Sequence, residues 1–224
     1  MKTFGERAIA FYSDLDIGEL LPEGVGVLNP YRETEVISLV AQFFGNYYSD
    51  DRMRVILLGI NPGRFGAGIT GITFTDPIRL EEDCGILNSF EKRPELSSRF
   101  IYEVIHAFGG IPEFFSHFFL SAVCPLGFIR SGKNLNYYDD RELEDALGEF
   151  ILSTLKLQAD LGIRRDLAIC LGEGKNAGYL QKLNREAGLF KKILTLPHPR
   201  WIMQYRYKRK NEFIRLYLEL IQGL

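Results

Sequence analysis

The chain has 224 residues, 46% of them apolar and 25% charged, with a formal net charge of −2. This composition excludes a disordered or low-complexity chain and suits one domain over residues 1–224 with ample material for a core. Three scattered cysteines, Cys84, Cys124 and Cys170, form no Cys-x-x-Cys pair and exclude a disulfide framework, a zinc site and an iron–sulfur cluster; they read as reduced core thiols.

The N-terminus places Glu6 and Arg7 where a signal peptide needs an apolar run, and no stretch approaches 18 apolar residues. A cytoplasmic protein without a membrane span is expected. Thr3-Phe4-Gly5-Glu6 matches a capping box ahead of a helical pattern. A second helix is predicted from about Thr34. Residues 54–60 are a short continuous apolar run, as in a strand buried on both faces.

The Gly/Pro-rich segment 61–72 follows that strand. Residues 97–110 read as a helix closed by Gly109 and Gly110, 118–124 as a second strand, and 125–136 as a loop. Asp139 or Asp140 caps a long amphipathic helix that stops at Gly162. Residues 166–172 and 190–196 read as strands separated by a helix, and a last helix covers about 207–221. Strands alternating with helices predict an α/β three-layer sandwich around a central, mainly parallel four-stranded sheet. Ligands of such sheets bind beyond the carboxyl ends of the strands, which here are followed by segments 61–72, 124–136, 172–176 and 197–206.

In the first segment Gly63, Gly66, Gly68 and Gly71 allow tight turns and close approach to bare N–H groups. No Gly-Lys-Ser/Thr is present, which excludes a Walker loop. Gly66-x-Gly68-x-x-Gly71 has dinucleotide-fingerprint spacing, but the residues after it form no helical pattern. A structural turn is the simpler reading of the glycines alone.

The run Asn61-Pro-Gly-Arg-Phe-Gly-Ala-Gly-Ile-Thr-Gly-Ile-Thr-Phe74 resembles the first motif of the single-strand-selective monofunctional uracil-DNA glycosylases, Gly-Met-Asn-Pro-Gly-Pro-Phe-Gly-Met-x-x-Thr-Gly-x-Pro-Phe. Cys124-Pro-Leu-x-Phe128 with Gly132-Lys-Asn-Leu135, and then His198-Pro199, resemble two further family blocks in the same order. The resemblance implies a uracil-DNA glycosylase-like fold and hydrolysis of an N-glycosidic bond without cofactor or metal. By the same resemblance Asn61 would hold the attacking water and His198 would donate to the O2 of the base. Phe74 would stack on the flipped base, while Ile60, Gly63 and Ala67 would line its pocket.

Two positions depart from the family. Ala122 stands where an asparagine reads the Watson–Crick edge of uracil, so Ser121 or a backbone amide would have to compensate. After His198-Pro199 the family continues Ser-Pro-Arg-Asn, whereas this chain continues Arg200-Trp201-Ile202.

From Arg200 to Lys210 there are five basic residues, no acidic ones, and Trp201, Tyr205 and Tyr207 between them. Basic groups suit phosphates, and aromatic groups can stack on or wedge between bases. Arg200, Trp201, Tyr205, Arg206, Lys208 and Arg209, with Lys133, Arg64 and Arg130 on neighbouring loops, are the expected DNA-binding residues. His106 and His117 read as structural. The expected partner is single- or double-stranded DNA bearing uracil or a damaged base, met by a monomer. A non-cleaving damage-binding module and a phosphoester hydrolase using the glycine loop are the alternatives.

Overall fold

The computed structural model describes residues 2–18 and 21–224. In chain order the elements are α1 (Phe4–Ser13), β1 (Val25–Leu28), α2 (Thr34–Tyr47), β2 (Arg54–Gly59), α3 (Ala67–Thr70), α4 (Pro77–Glu82), α5 (Leu96–Phe108), α6 (Ile111–His117), β3 (Phe118–Ala122), β4 (Gly127–Arg130), β5 (Lys133–Leu135), α7 (Arg141–Ala159), β6 (Ile163–Leu171), α8 (Lys175–Ala187), β7 (Lys192–Leu196), α9 (Pro199–Tyr205) and α10 (Lys210–Ile221).

The local signals act as chemistry dictates. The Thr3 hydroxyl accepts from the Glu6 N–H at 3.2 Å and the Glu6 carboxylate accepts from the Thr3 N–H at 2.7 Å, which closes the capping box of α1. Asp140 caps α7 by accepting from the Glu142 and Leu143 N–H groups, while Asp139 accepts from the Asn136 N–H in the turn before it. Every residue of β2 is buried. Its first residue, Arg54, is fully enclosed yet satisfied by the Phe115 and Arg52 carbonyls and by Asp50, with its guanidinium over the rings of Phe4 and Tyr48.

The main sheet has the order β3-β2-β6-β7, and all its pairings are parallel. From β2 the chain reaches its neighbour β3 through α3–α6, then crosses back over β2 through α7 to β6, and on through α8 to β7. Right-handed crossovers running in opposite directions lay their helices on opposite faces, giving three layers. The loop leaving β2 therefore diverges from those leaving β3 and β6, and such a reversal is where open α/β sheets place their ligands, here at the carboxyl end of β2.

Besides the short helices α3, α4 and α6, which the sequence reading did not contain, two segments differ from it. Within residues 124–136, read as a loop, β4 and β5 form a hairpin that joins β1 in a small antiparallel sheet, with Leu28 opposite Gly127 and Phe128 opposite Leu135. These strands have only three or four residues, too few to show a period, and β1 finds its partner about a hundred positions away. The segment 197–206, also read as a loop, contains α9, a seven-residue helix.

Candidate active site

Asn61 stands two residues beyond β2. Its Nδ2 donates to the Leu135 carbonyl at 3.1 Å and more weakly to the Pro62 carbonyl at 3.4 Å, and its Oδ1 accepts from the Tyr137 N–H at 3.2 Å. The hairpin missed in the sequence thus fixes the amide in one orientation. An amide oxygen accepts two hydrogen bonds, so one lone pair of Oδ1 stays available.

Phe74 has φ 57, in the left-handed region that a bulky residue rarely adopts. Its neighbours force that conformation. The Thr70 hydroxyl donates to the Thr75 carbonyl at 2.6 Å, the Thr75 hydroxyl meets the Tyr102 hydroxyl at 3.0 Å, and Asp76 is held by the Ile78, Arg79 and Glu95 N–H groups. Strain of this kind costs about 1–3 kcal/mol and persists where the surroundings over-determine it. The ring lies against Gly59, where a Cβ would come 2.7 Å from Phe74 Cζ.

His198 is the N-cap of α9, and its Nδ1 accepts from the Arg200 N–H at 3.1 Å. The Tyr217 hydroxyl holds the preceding carbonyl, that of Pro197. With Nδ1 accepting, the neutral ring carries its proton on Nε2 and presents a donor there. Burial, then the charge of Arg200, lowers the His198 pKa to about 4. The Phe74 and His198 rings lie with centroids 6.0 Å apart, tilted at 51° to each other.

Two buried residues that sequence reasoning missed connect these parts. The Tyr137 hydroxyl donates to Asn176 Oδ1 at 2.7 Å, and Asn176 Nδ2 reaches the Cys170 sulfur and the Gly59 and Leu171 carbonyls. A Cβ on Gly172 would lie 3.5 Å from Asn176 and 3.6 Å from His198 Cδ2. The chain of contacts from Asn61 through Tyr137, Asn176 and Gly172 therefore ends beside His198. A signal for Asn176 was present, since it opens a helix directly after a buried strand; Tyr137 carried none.

Ala122 ends β3 opposite Gly59 and is buried. The Ser121 hydroxyl points to the neighbouring layer, where it donates to Gln158 Oε1 and meets the Tyr12 hydroxyl at 3.1 Å. Its single proton is spent there. Ala67 is buried as the first residue of α3, and Ile60 and Gly63 are half-buried on the segment that carries Asn61.

Of the basic stretch, Arg200, Arg206 and Lys208 are exposed and make no ion pair among the described residues, as is also true of Lys133 on β5. Arg206 packs over the Trp201 indole at 4.8 Å; Trp201 is 39% exposed and Tyr205 60%. Arg209 is paired with Glu212 at 2.7 Å, Lys210 with Glu103, and Arg130 with Asp140 at 2.6 Å. Those pairs neutralise part of the expected patch. The three cysteines are free and buried, with burial raising the Cys84 pKa to about 11 and those of Cys124 and Cys170 to about 12. His106 and His117 lie on α5 and α6 beside Asp83 and Glu113. No cluster of three His, Cys, Asp or Glu side chains suited to a metal ion occurs among the described residues, and no helix there is long and apolar enough to cross a membrane.

A family model described as the uracil DNA glycosylase superfamily matches residues 46–222. Among solved structures, the crystal structure of wild-type SMUG2 of Pedobacter heparinus superposes with a TM-score of 0.95 and 45% sequence identity, covering 100% of this chain and 98% of that one. No curated protein matches the chain.

Proposed function

The chain belongs to the uracil-DNA glycosylase superfamily, and we propose that it is a monofunctional, monomeric enzyme that hydrolyses the N-glycosidic bond of uracil or a modified base flipped out of DNA. The observation that carries this reading is the approach of the strained Phe74 ring to the Nε2–H imidazole of His198, 6.0 Å between centroids, with the fixed amide of Asn61 two residues beyond β2.

The reaction breaks the bond between C1′ and the base nitrogen, builds positive charge on the sugar and leaves the electron pair on the base. A water oxygen then bonds to C1′ and its proton is released. Asn61 cannot act as a base; its free Oδ1 lone pair orients that water, which lowers the entropic part of the barrier. His198, neutral at physiological pH, points its Nε2–H to the oxygen on which charge develops, and one such donor in a dry site is worth about 10²–10³ in rate. Phe74 offers a face for stacking of the extruded base.

Trp201 and Arg206, stacked at the edge of the site, suit a wedge and a phosphate contact. Loss of the edge-reading amide at position 122 favours, as a second reading, a protein that binds damaged DNA without cleaving it. The test is excision from uracil-containing single strands and duplexes, read by alkaline cleavage at abasic sites, with borohydride trapping alongside. Abasic sites without a trapped adduct are expected. Binding without abasic sites would leave the second reading, and a trapped adduct would overturn the monofunctional one.

A further inference from the structure

The loop that carries Asn61 holds a second cationic feature, in which Arg64, expected from the sequence to extend the DNA-binding patch, is joined by Arg93. Arg64 and Arg93, from segments 29 positions apart in the sequence, both pack on the ring of Phe65, with guanidinium carbons 4.5 and 5.2 Å from its centroid. Each is held in place. The Arg64 N–H donates to Asn134 Oδ1 at 3.1 Å and its guanidinium donates to the Gly132 carbonyl, so the β4–β5 hairpin moors it. The segment bearing Arg93 is moored by the Glu95 N–H, which donates at 2.9 Å to Asp76, the residue that also braces the Phe74 loop.

Arg64 has no carboxylate partner among the described residues. Arg93 has one, its near neighbour Glu91 at 2.7 Å, and remains half exposed. The other nearby acid, Glu95, accepts from the Ser98 N–H and the Ser97 hydroxyl as the N-cap of α5. Both guanidinium groups border one ring, and an anion beside them would be attracted by two charges, each with a planar fork suited to phosphate oxygens.

We propose that Arg64 and Arg93, braced on Phe65, bind backbone phosphates of the DNA strand on the side of the extruded nucleotide away from α9. The sheet order supports the placement. Strand ends run β3-β2-β6-β7, so α9 stands at the β7 end of the row while Arg64 leaves from β2. The strand would thus be gripped on both sides of the flipped nucleotide. The inference rests on the DNA reading given above.

The test is fluorescence anisotropy with a labelled single-stranded DNA oligonucleotide and its duplex, over a range of salt, for wild type, R93Q, R64Q and E91Q. R93Q and R64Q are each expected to weaken binding about three- to tenfold and to lower the salt slope by about 0.7 on the single strand and about 0.9 on the duplex. E91Q is expected to tighten binding, because it frees Arg93. The melting temperature should stay at the wild-type value for R93Q. Wild-type affinity and slope in R93Q would overturn the proposal while leaving the DNA reading intact, and so would weakened binding with an unchanged slope. A wild-type protein that binds neither oligonucleotide would overturn both.

Discussion

Tyr137 holds two residues at once: its backbone N–H donates to Asn61 Oδ1 at 3.2 Å, and its hydroxyl donates to Asn176 Oδ1 at 2.7 Å. The amide proposed to orient water and the amide in the first turn of α8 are thereby set by one fully buried residue. Tyr137→Phe leaves a buried carbonyl without its donor, a loss of about 1–3 kcal/mol. The variant is expected to melt at a lower temperature and, at temperatures where it is folded, to excise more slowly at saturating enzyme while binding DNA as wild type does. A slower reaction accompanied by equally weakened DNA binding would show that Tyr137 does not act through Asn61.

Asn61→Ala removes the proposed water ligand together with the bonds to Leu135 and Tyr137. Single-turnover excision is expected to fall at least about tenfold with the circular-dichroism spectrum unchanged. A wild-type rate would refute the role.

Gly59→Ala probes the stacking ring without touching its chemistry. The added Cβ would lie 2.7 Å from Cζ and 3.1 Å from Cε2 of Phe74. Neither the ring nor the strand can yield cheaply, so a destabilisation of about 1–3 kcal/mol by overpacking is expected. Chemical denaturation measures that loss, and an excision assay on the folded protein should show reduced activity as the ring is displaced. Full stability and full activity together would mean that the close packing of Phe74 on Gly59 is unimportant.

The pH behaviour of His198 has a definite sign. Its folded pKa, about 4, lies below the ordinary 6.5 because burial and Arg200 disfavour the charged ring. Between those values the unfolded chain takes up a proton that the folded one refuses. The contribution to stability is whole above pH 6.5 and is lost as pH falls from there towards 4. Excision is expected to show no histidine titration between pH 5 and 8. His198→Gln should reduce the acid sensitivity of the melting temperature in that window and slow excision at least about tenfold. An NMR titration of the ring with a midpoint near 6.5 would contradict the assignment.

Ala122→Asn restores a group able to donate to and accept from a base edge at the end of β3, beside Gly59. Sites that hydrogen-bond their substrate reject analogues which leave those groups unpaired. Uracil excision relative to other modified bases is expected to rise, measured across a panel of oligonucleotides each carrying one such base. An unaltered panel would mean that the edge is read elsewhere.

Much of this arrangement was written in local chemistry. A continuous apolar run marked β2, Thr3 and Glu6 marked the first helix, and the alternation of elements implied parallel pairing. Asn61 and His198 stood out at the ends of predicted strands, and Phe74 through the resemblance to the glycosylase family. The tertiary structure alone decided the rest. Asn61 and Tyr137 lie 76 positions apart, and Tyr137 and Asn176 lie 39. The proton of His198 is assigned to Nε2 only once its Nδ1 caps α9, and Ser121 is withdrawn from the base pocket by Gln158 on another layer. Periodicity and capping act over a few residues and can be read along a chain. Hydrogen bonds between distant side chains exist only after the sheet has brought their backbones together, so no local pattern records them.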